Sequence, residues 1–141
     1  MLKVVDASLA VKWFIPEPDS DKAINLLENF RNKSAILTAP DHIVSEIGSA
    51  LWKRSTLRKE ISVLEALESL KDFLALGLQL HPTPRLVEAA LELAGQEHHS
   101  PYDMLYVVLA AQLGCEFITA DRTLFIRLST KFPFVRWLGS L

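Results

Sequence analysis

The chain has one cysteine, Cys115, and so cannot close an internal disulfide. Its four histidines, His42, His81, His98 and His99, stand in no zinc-ligand spacing with that cysteine, which removes structural zinc from consideration. Long apolar runs are missing as well. The longest, residues 104–111, falls far short of the roughly 20 residues that a membrane-spanning helix needs. The apolar stretch after Met1 is interrupted by Asp6 and Lys12, and no small-residue cleavage pattern follows, which argues against a secretory signal. The expected compartment is the cytoplasm. Nor does one sign of charge dominate: 15 basic and 17 acidic residues give a net charge of −2, which does not advertise a nucleic-acid binder. No stretch reads as a linker, a repeat or a low-complexity segment.

What is present is the composition of a packed globular protein. In 141 residues, 50% hydrophobic and 23% charged, there is room for one domain, expected to run from 1 to 141. Short β-type runs at 2–5, 35–38, 78–80, 116–119 and 134–138 alternate with segments of helical periodicity. That alternation predicts an α/β fold, a parallel sheet covered by helices on both faces.

The helical segments are well punctuated. Residues 21–31 place Ala23, Leu26, Leu27 and Phe30 on one face, and residues 41 to about 54 carry an apolar stripe of Ile43, Ile47, Ala50 and Leu51. Ser62 with Glu65 spells a capping box ahead of Leu67, Leu70 and Leu74. Thr83-Pro84 opens a further helix with Leu86, Val87, Ala90, Leu91 and Ala94 as its expected buried face. Ser100-Pro101 repeats the device before a segment that is apolar almost all round, the pattern of a deeply buried helix.

Four carboxylates occupy telling positions. Asp6 follows the first expected strand directly, and Asp121 lies two residues beyond Thr119 at the end of the fourth. In open α/β sheets, ligands bind in the crevice outside the carboxyl ends of the strands. Either residue could equally serve as an N-cap of the helix behind it. Asp103 stands three residues after Ser100, where a capping box would use it. Glu46 is harder to explain as local structure, because at about 100° per residue it falls on the flank of its helix's apolar stripe. It either reaches water or a partner such as Arg54, or belongs to a site. Two unit charges about 4 Å apart interact by roughly 4 kcal/mol at an effective dielectric of 20, so four clustered carboxylates call for cations. An all-oxygen set suits Mg²⁺ or Mn²⁺ better than zinc. Such ions can activate a water and stabilise the leaving oxygen of a phosphodiester. With four carboxylates committed to cations, the rest of the chain carries +2, and its basic residues are bunched as Lys53, Arg54, Arg58 and Lys59, and as Arg122, Arg127, Lys131 and Arg136.

Four segments, Val4-Val5-Asp6-Ala7-Ser8, Ala39-Pro40-Asp41-His42-Ile43-Val44-Ser45-Glu46 running on to Ala50-Leu51-Trp52-Lys53, Ser100-Pro101-Tyr102-Asp103, and Ile118-Thr119-Ala120-Asp121-Arg122, together resemble PIN-domain proteins, particularly the VapC-type toxins of prokaryotic toxin–antitoxin pairs. The likeness covers essentially the whole chain. It implies a three-layer α/β/α sandwich with about five parallel strands in the order 3-2-1-4-5. It also implies an endoribonuclease that holds one or two Mg²⁺ or Mn²⁺ ions and leaves 3′-hydroxyl and 5′-phosphate ends. Asp6, Glu46 and Asp103 match the family's core metal ligands, and Asp121 matches a fourth, more variable one. Ser8 and Thr119 match small hydroxyl positions beside the site, in a supporting role. By the same likeness the partners are an RNA substrate, a cognate antitoxin that blocks the site, and a second copy in a homodimer. Lys53 and Arg54, just beyond Glu46 on its helix, are the basic residues best placed to meet an RNA backbone.

Other readings differ in class. A housekeeping RNA-processing nuclease of the same fold shares the chemistry. A phospho-acceptor receiver also clusters aspartates at this edge of a sheet, but needs a lysine after the fifth strand, where this chain has Gly139 and Ser140. A non-catalytic interaction module would use the carboxylates only as helix caps. His98-His99 read as a polar turn between helices, Cys115 as a small buried residue, and Trp13, Phe14 and Trp52 as packing rather than base-stacking groups.

Overall fold

The computed structural model describes all 141 residues. Strand β1 (Leu2–Val5) leads into α1 (Ala7–Val11) and α2 (Ser20–Arg31). Strand β2 (Ile36–Pro40) leads into α3 (Ile43–Trp52), which widens into a π-helical turn, Lys53–Leu57, before α4 (Val63–Ala75). After β3 (Gln79–His81) come a 3₁₀ turn, Thr83–Arg85, then α5 (Val87–Glu97) and α6 (Pro101–Leu113). Strand β4 (Glu116–Thr119) is followed by α7 (Arg122–Leu128), and β5 (Val135–Trp137) by a last 3₁₀ turn, Leu138–Ser140.

All four strand pairings are parallel, in the order β3-β2-β1-β4-β5. This is the α/β architecture and strand order that the family likeness implies. Right-handed crossovers put α1 to α4 on one face and α5 to α7 on the other. The central strands are therefore covered twice, and Val4, Val5, Phe117 and Ile118 are wholly buried. Winding reverses between β1 and β4, so the carboxyl ends of those two strands flank the switch point.

Helix α6 shows how the sequence sets its own limits. The Ser100 hydroxyl accepts the Tyr102 N–H, Pro101 takes the first helical position, and Gly114 ends the helix at φ +64°, a conformation that glycine adopts without strain. Between these stops residues 104–110 are buried without interruption, because α6 packs on β1, β2 and β4 and is roofed by α5. The capping box at Ser62 and Glu65 forms with both of its hydrogen bonds.

Three local expectations change. Thr83-Pro84 opens the 3₁₀ turn, and the α-helix proper starts at Val87. Helix α3 starts at Ile43 rather than Asp41, because Asp41 donates its N–H to the His81 carbonyl and accepts the Thr83 N–H on its carboxylate. On α4 and α5 the apolar residues outnumber the positions the core covers. Ala66 and Phe73 are buried while Leu67 and Leu74 are exposed, and Leu86, Ala90 and Ala94 are buried while Val87 and Leu91 are exposed.

Candidate active site

Asp6 and Asp121 leave the neighbouring strands β1 and β4 and begin the helices that follow. Each accepts a backbone N–H three residues on, from Leu9 and from Leu124, both at 3.0 Å. The capping reading is thus correct for both, yet it does not exhaust them, since capping occupies only Oδ1. The Oδ2 atom of Asp6 accepts the Thr119 hydroxyl, and its Oδ1 also accepts the Ser8 hydroxyl at 2.7 Å. Both small hydroxyls therefore serve Asp6, and each is itself oriented by backbone: Ala120 N–H donates to Ser8 and Asp121 N–H to Thr119. Helix α3 brings Glu46 over this edge from one layer, and the first turn of α6 brings Asp103 from the other. Asp103 does not complete a capping box with Ser100; its Oδ2 lies 2.7 Å from His99 Nε2.

All four carboxylates line one cavity of about 110 Å³, and no lysine or arginine lines it with them. Burial is graded, from Asp6 at 5% exposure in the base to Asp121 exposed at the rim. Desolvation raises the Asp6 carboxyl to about 6, outweighing the three hydrogen bonds that favour its charge, and the charge of Glu46 adds to the rise. Glu46 is likewise raised, by burial first and by Asp103 as well, against the stabilising Tyr106 hydroxyl. Carboxylates held together with no lysine or arginine among them fit an added cation, and their all-oxygen chemistry suits a hard one. No three of them yet converge as a ready-made metal shell. Mg²⁺ keeps several waters and needs only one or two direct carboxylates, so three converging ligands are not required.

Residues 3–131 match the PIN domain family. The chain belongs to the PIN-domain family. This PIN domain is 32% identical over 135 residues to Ribonuclease VapC3 of Pyrobaculum aerophilum, covering 94% of this chain and 96% of that protein. Among solved structures it superposes on PAE2754 from Pyrobaculum aerophilum with a TM-score of 0.71 at 22% identity, covering 99% of this chain and 85% of that one. It also superposes on VapBC2 from Rickettsia felis, crystallised bound to a DNA fragment from their promoter, with a TM-score of 0.64 at 15% identity and 97% of each chain covered. The two structural likenesses carry the fold.

Three groups at the site of this PIN domain escaped the sequence reading. The Tyr106 hydroxyl donates to Glu46 Oε1 at 2.6 Å. His42 Nε2 lies 3.3 Å from the same oxygen, and His99 holds Asp103. Both His98 and His99 do lie in the turn between α5 and α6, and from there His99 also reaches Asp103. A signal was there to be read for one of the three groups: His42 with Glu46 is four apart at the start of α3, the spacing that stacks side chains on a helix, whereas His99 precedes the cap of α6 and carried no such pattern.

The basic residues sort themselves out. Arg54 does not pair with Glu46; it bridges Glu17 and Glu60, tying the π-helical turn to the loop after α1. Lys53 and Arg58 make no ion pair, and both line an open pocket with Glu46 on its wall. In the second group, Lys131 pairs with Glu97, Arg136 with Glu116, Arg127 donates to the His98 carbonyl, and Arg122 lies 5.1 Å from the Trp137 ring centroid. Trp13 packs in the core with its N–H on the Ala23 carbonyl, whereas Trp52 is exposed. Cys115 is half-buried beside β4.

Proposed function

We propose that residues 1–141 form a single PIN domain acting as an Mg²⁺- or Mn²⁺-dependent endoribonuclease, the toxin of a VapBC-type pair. The observation that carries this reading is the meeting of Asp6, Glu46, Asp103 and Asp121, from four separate elements, around one cavity without a basic side chain. Similarity to a ribonuclease over nearly its full length supports the substrate class. The four carboxylates would hold one or two divalent ions, which supply an activated water and stabilise the leaving oxygen of the phosphodiester.

The chain's own groups do the arranging. Ser8 and Thr119 fix both oxygens of Asp6. The capping bond from Leu124 N–H leaves Asp121 Oδ2, and His99 leaves Asp103 Oδ1, without a hydrogen-bond partner. Lys53 meets the RNA backbone as it leaves the cavity, and Arg54 holds the wall on which Lys53 stands. In the cell the partners are RNA, a cognate antitoxin that covers this edge, and a second copy of the chain. No helix is long and apolar enough to cross a membrane, and the proposed location is the cytoplasm.

The test is cleavage of a mixed panel of labelled RNAs by purified protein in Mg²⁺, in Mn²⁺ and in EDTA. Cutting that requires metal supports the reading; cutting of equal strength in EDTA overturns it. With a cut RNA in hand, Lys53→Ala should raise KM several-fold and leave kcat within about two-fold. It should also shrink the salt dependence of binding by about one counterion. An unchanged salt slope would remove Lys53 from the interface.

A further inference from the structure

Each carboxylate of the site is gripped, and the grip on Glu46 is the one made by a buried phenol, with an imidazole packed beside it. Tyr106 is 1% exposed, its ring stacks on Phe117 of β4 at 5.4 Å and 10°, and the His42 ring lies 4.8 Å away. Packed in this way, the phenol oxygen has no freedom to follow Glu46 into another rotamer. Burial pushes the phenol far up, which keeps it a donor. His42 Nε2 faces two acceptors, the Tyr102 carbonyl at 3.0 Å and Glu46 Oε1 at 3.3 Å, so its proton belongs on Nε2. The opposite nitrogen, Nδ1, is buried with no partner. Leaving a buried polar atom unpaired costs free energy. The imidazole is therefore arranged for its Nε2 contacts. The Tyr106 hydroxyl donates to Oε1, the His42 Nε2 proton goes to the Tyr102 carbonyl with Nε2 resting 3.3 Å from Oε1, and Oε2 accepts no hydrogen bond.

We infer that Tyr106, backed by His42, is a positioning residue that clamps Glu46 by Oε1 and thereby presents Oε2 alone to a cation in the acidic cavity. The inference rests on the metal-dependent reading above. A free glutamate side chain loses rotamer entropy when it is fixed, and here that ordering precedes the cation. Groups that orient metal ligands in this way are worth roughly 10–100-fold in metal affinity. The clamp also spans the sheet edge, joining α6 to α3 across the layers.

The test is calorimetric titration of the metal-free protein with MnCl₂. Tyr106→Phe keeps the stacked ring and removes one hydroxyl; it should raise the Mn²⁺ Kd about 10–100-fold and leave the far-ultraviolet circular dichroism unchanged. In a Glu46→Ala background the same change should add nothing, since the clamp then holds no carboxylate. Wild-type affinity in Tyr106→Phe overturns the inference, as does an equal loss in the Glu46→Ala background. If Tyr106→Phe fails to fold, His42→Ala, which removes the ring packed against Tyr106 and beside Oε1, carries the test: weakened Mn²⁺ binding supports the clamp and unchanged binding overturns it. A wild-type protein that binds no Mn²⁺ removes both the clamp and the metal-dependent reading, whereas wild-type binding with an indifferent Tyr106→Phe removes the clamp alone.

Discussion

Asp6→Asn should cut RNA at least about 1,000-fold more slowly than wild type, with the fold intact. A carboxylate about 4 Å from a unit charge contributes roughly 4 kcal/mol at an effective dielectric of 20, and that energy is close to three orders of magnitude in rate. Asparagine has nearly the same shape, and its carbonyl oxygen can still accept from Ser8 and from Leu9 N–H, the two bonds that Oδ1 receives now. The loss would therefore reflect charge and not unfolding. Single-turnover cleavage measured beside circular dichroism makes the comparison. A folded variant that retains a tenth of wild-type activity would demote Asp6 to a helix cap.

The second large effect lies in stability and runs opposite to the usual behaviour of an aspartate. Burial raises Asp6 from 3.8 to about 6. Between those values the folded metal-free protein keeps a proton that the unfolded chain has released. The stabilisation is fully present below the unfolded pKa and is lost as pH rises through the folded one. A rise of that size corresponds to about 3 kcal/mol over the whole titration. Urea unfolding in EDTA should therefore show Asp6→Asn gaining about 2.4 kcal/mol on wild type between pH 4 and pH 7.5. Mn²⁺ at 100 times its Kd should return about 2.7 kcal/mol to wild type at the upper pH and much less to the variant. Parallel stability curves for the two proteins would show that Asp6 ionises in the fold without penalty.

Much of this molecule was legible before its structure. Strand positions followed from short β-branched runs, and the three acidic positions at strand ends or beside Ser100-Pro101 followed from punctuation. Strand order came only with the family likeness, since periodicity reveals which face an element buries but not which neighbour it finds. Where apolar residues exceed what the core can cover, as at Leu67, Leu74, Val87 and Leu91, periodicity chose the wrong members of the stripe. Tyr106 was hidden for a different reason. It lies in an unbroken apolar run, and only the crossing of α6 over β4 reveals that its hydroxyl emerges beside Glu46. Asp6 and Asp121 were each read as either cap or site; both cap the helices they begin, and both also line the acidic cavity.

The adjacency of β1 and β4 also has a meaning in time. Lys3 pairs in register with Glu116, so the central strand must wait for its partner while nearly all the intervening chain is made. At synthesis rates of about 5–20 residues per second, the stretch from Asp6 to Asp121 takes on the order of 5–25 s to emerge. Until then Asp6 has neither Thr119 to hold it nor Asp121 beside it. If the proposed nuclease reading holds, a growing chain therefore has no assembled acidic cavity, and cleavage can begin only when translation of the domain is almost complete.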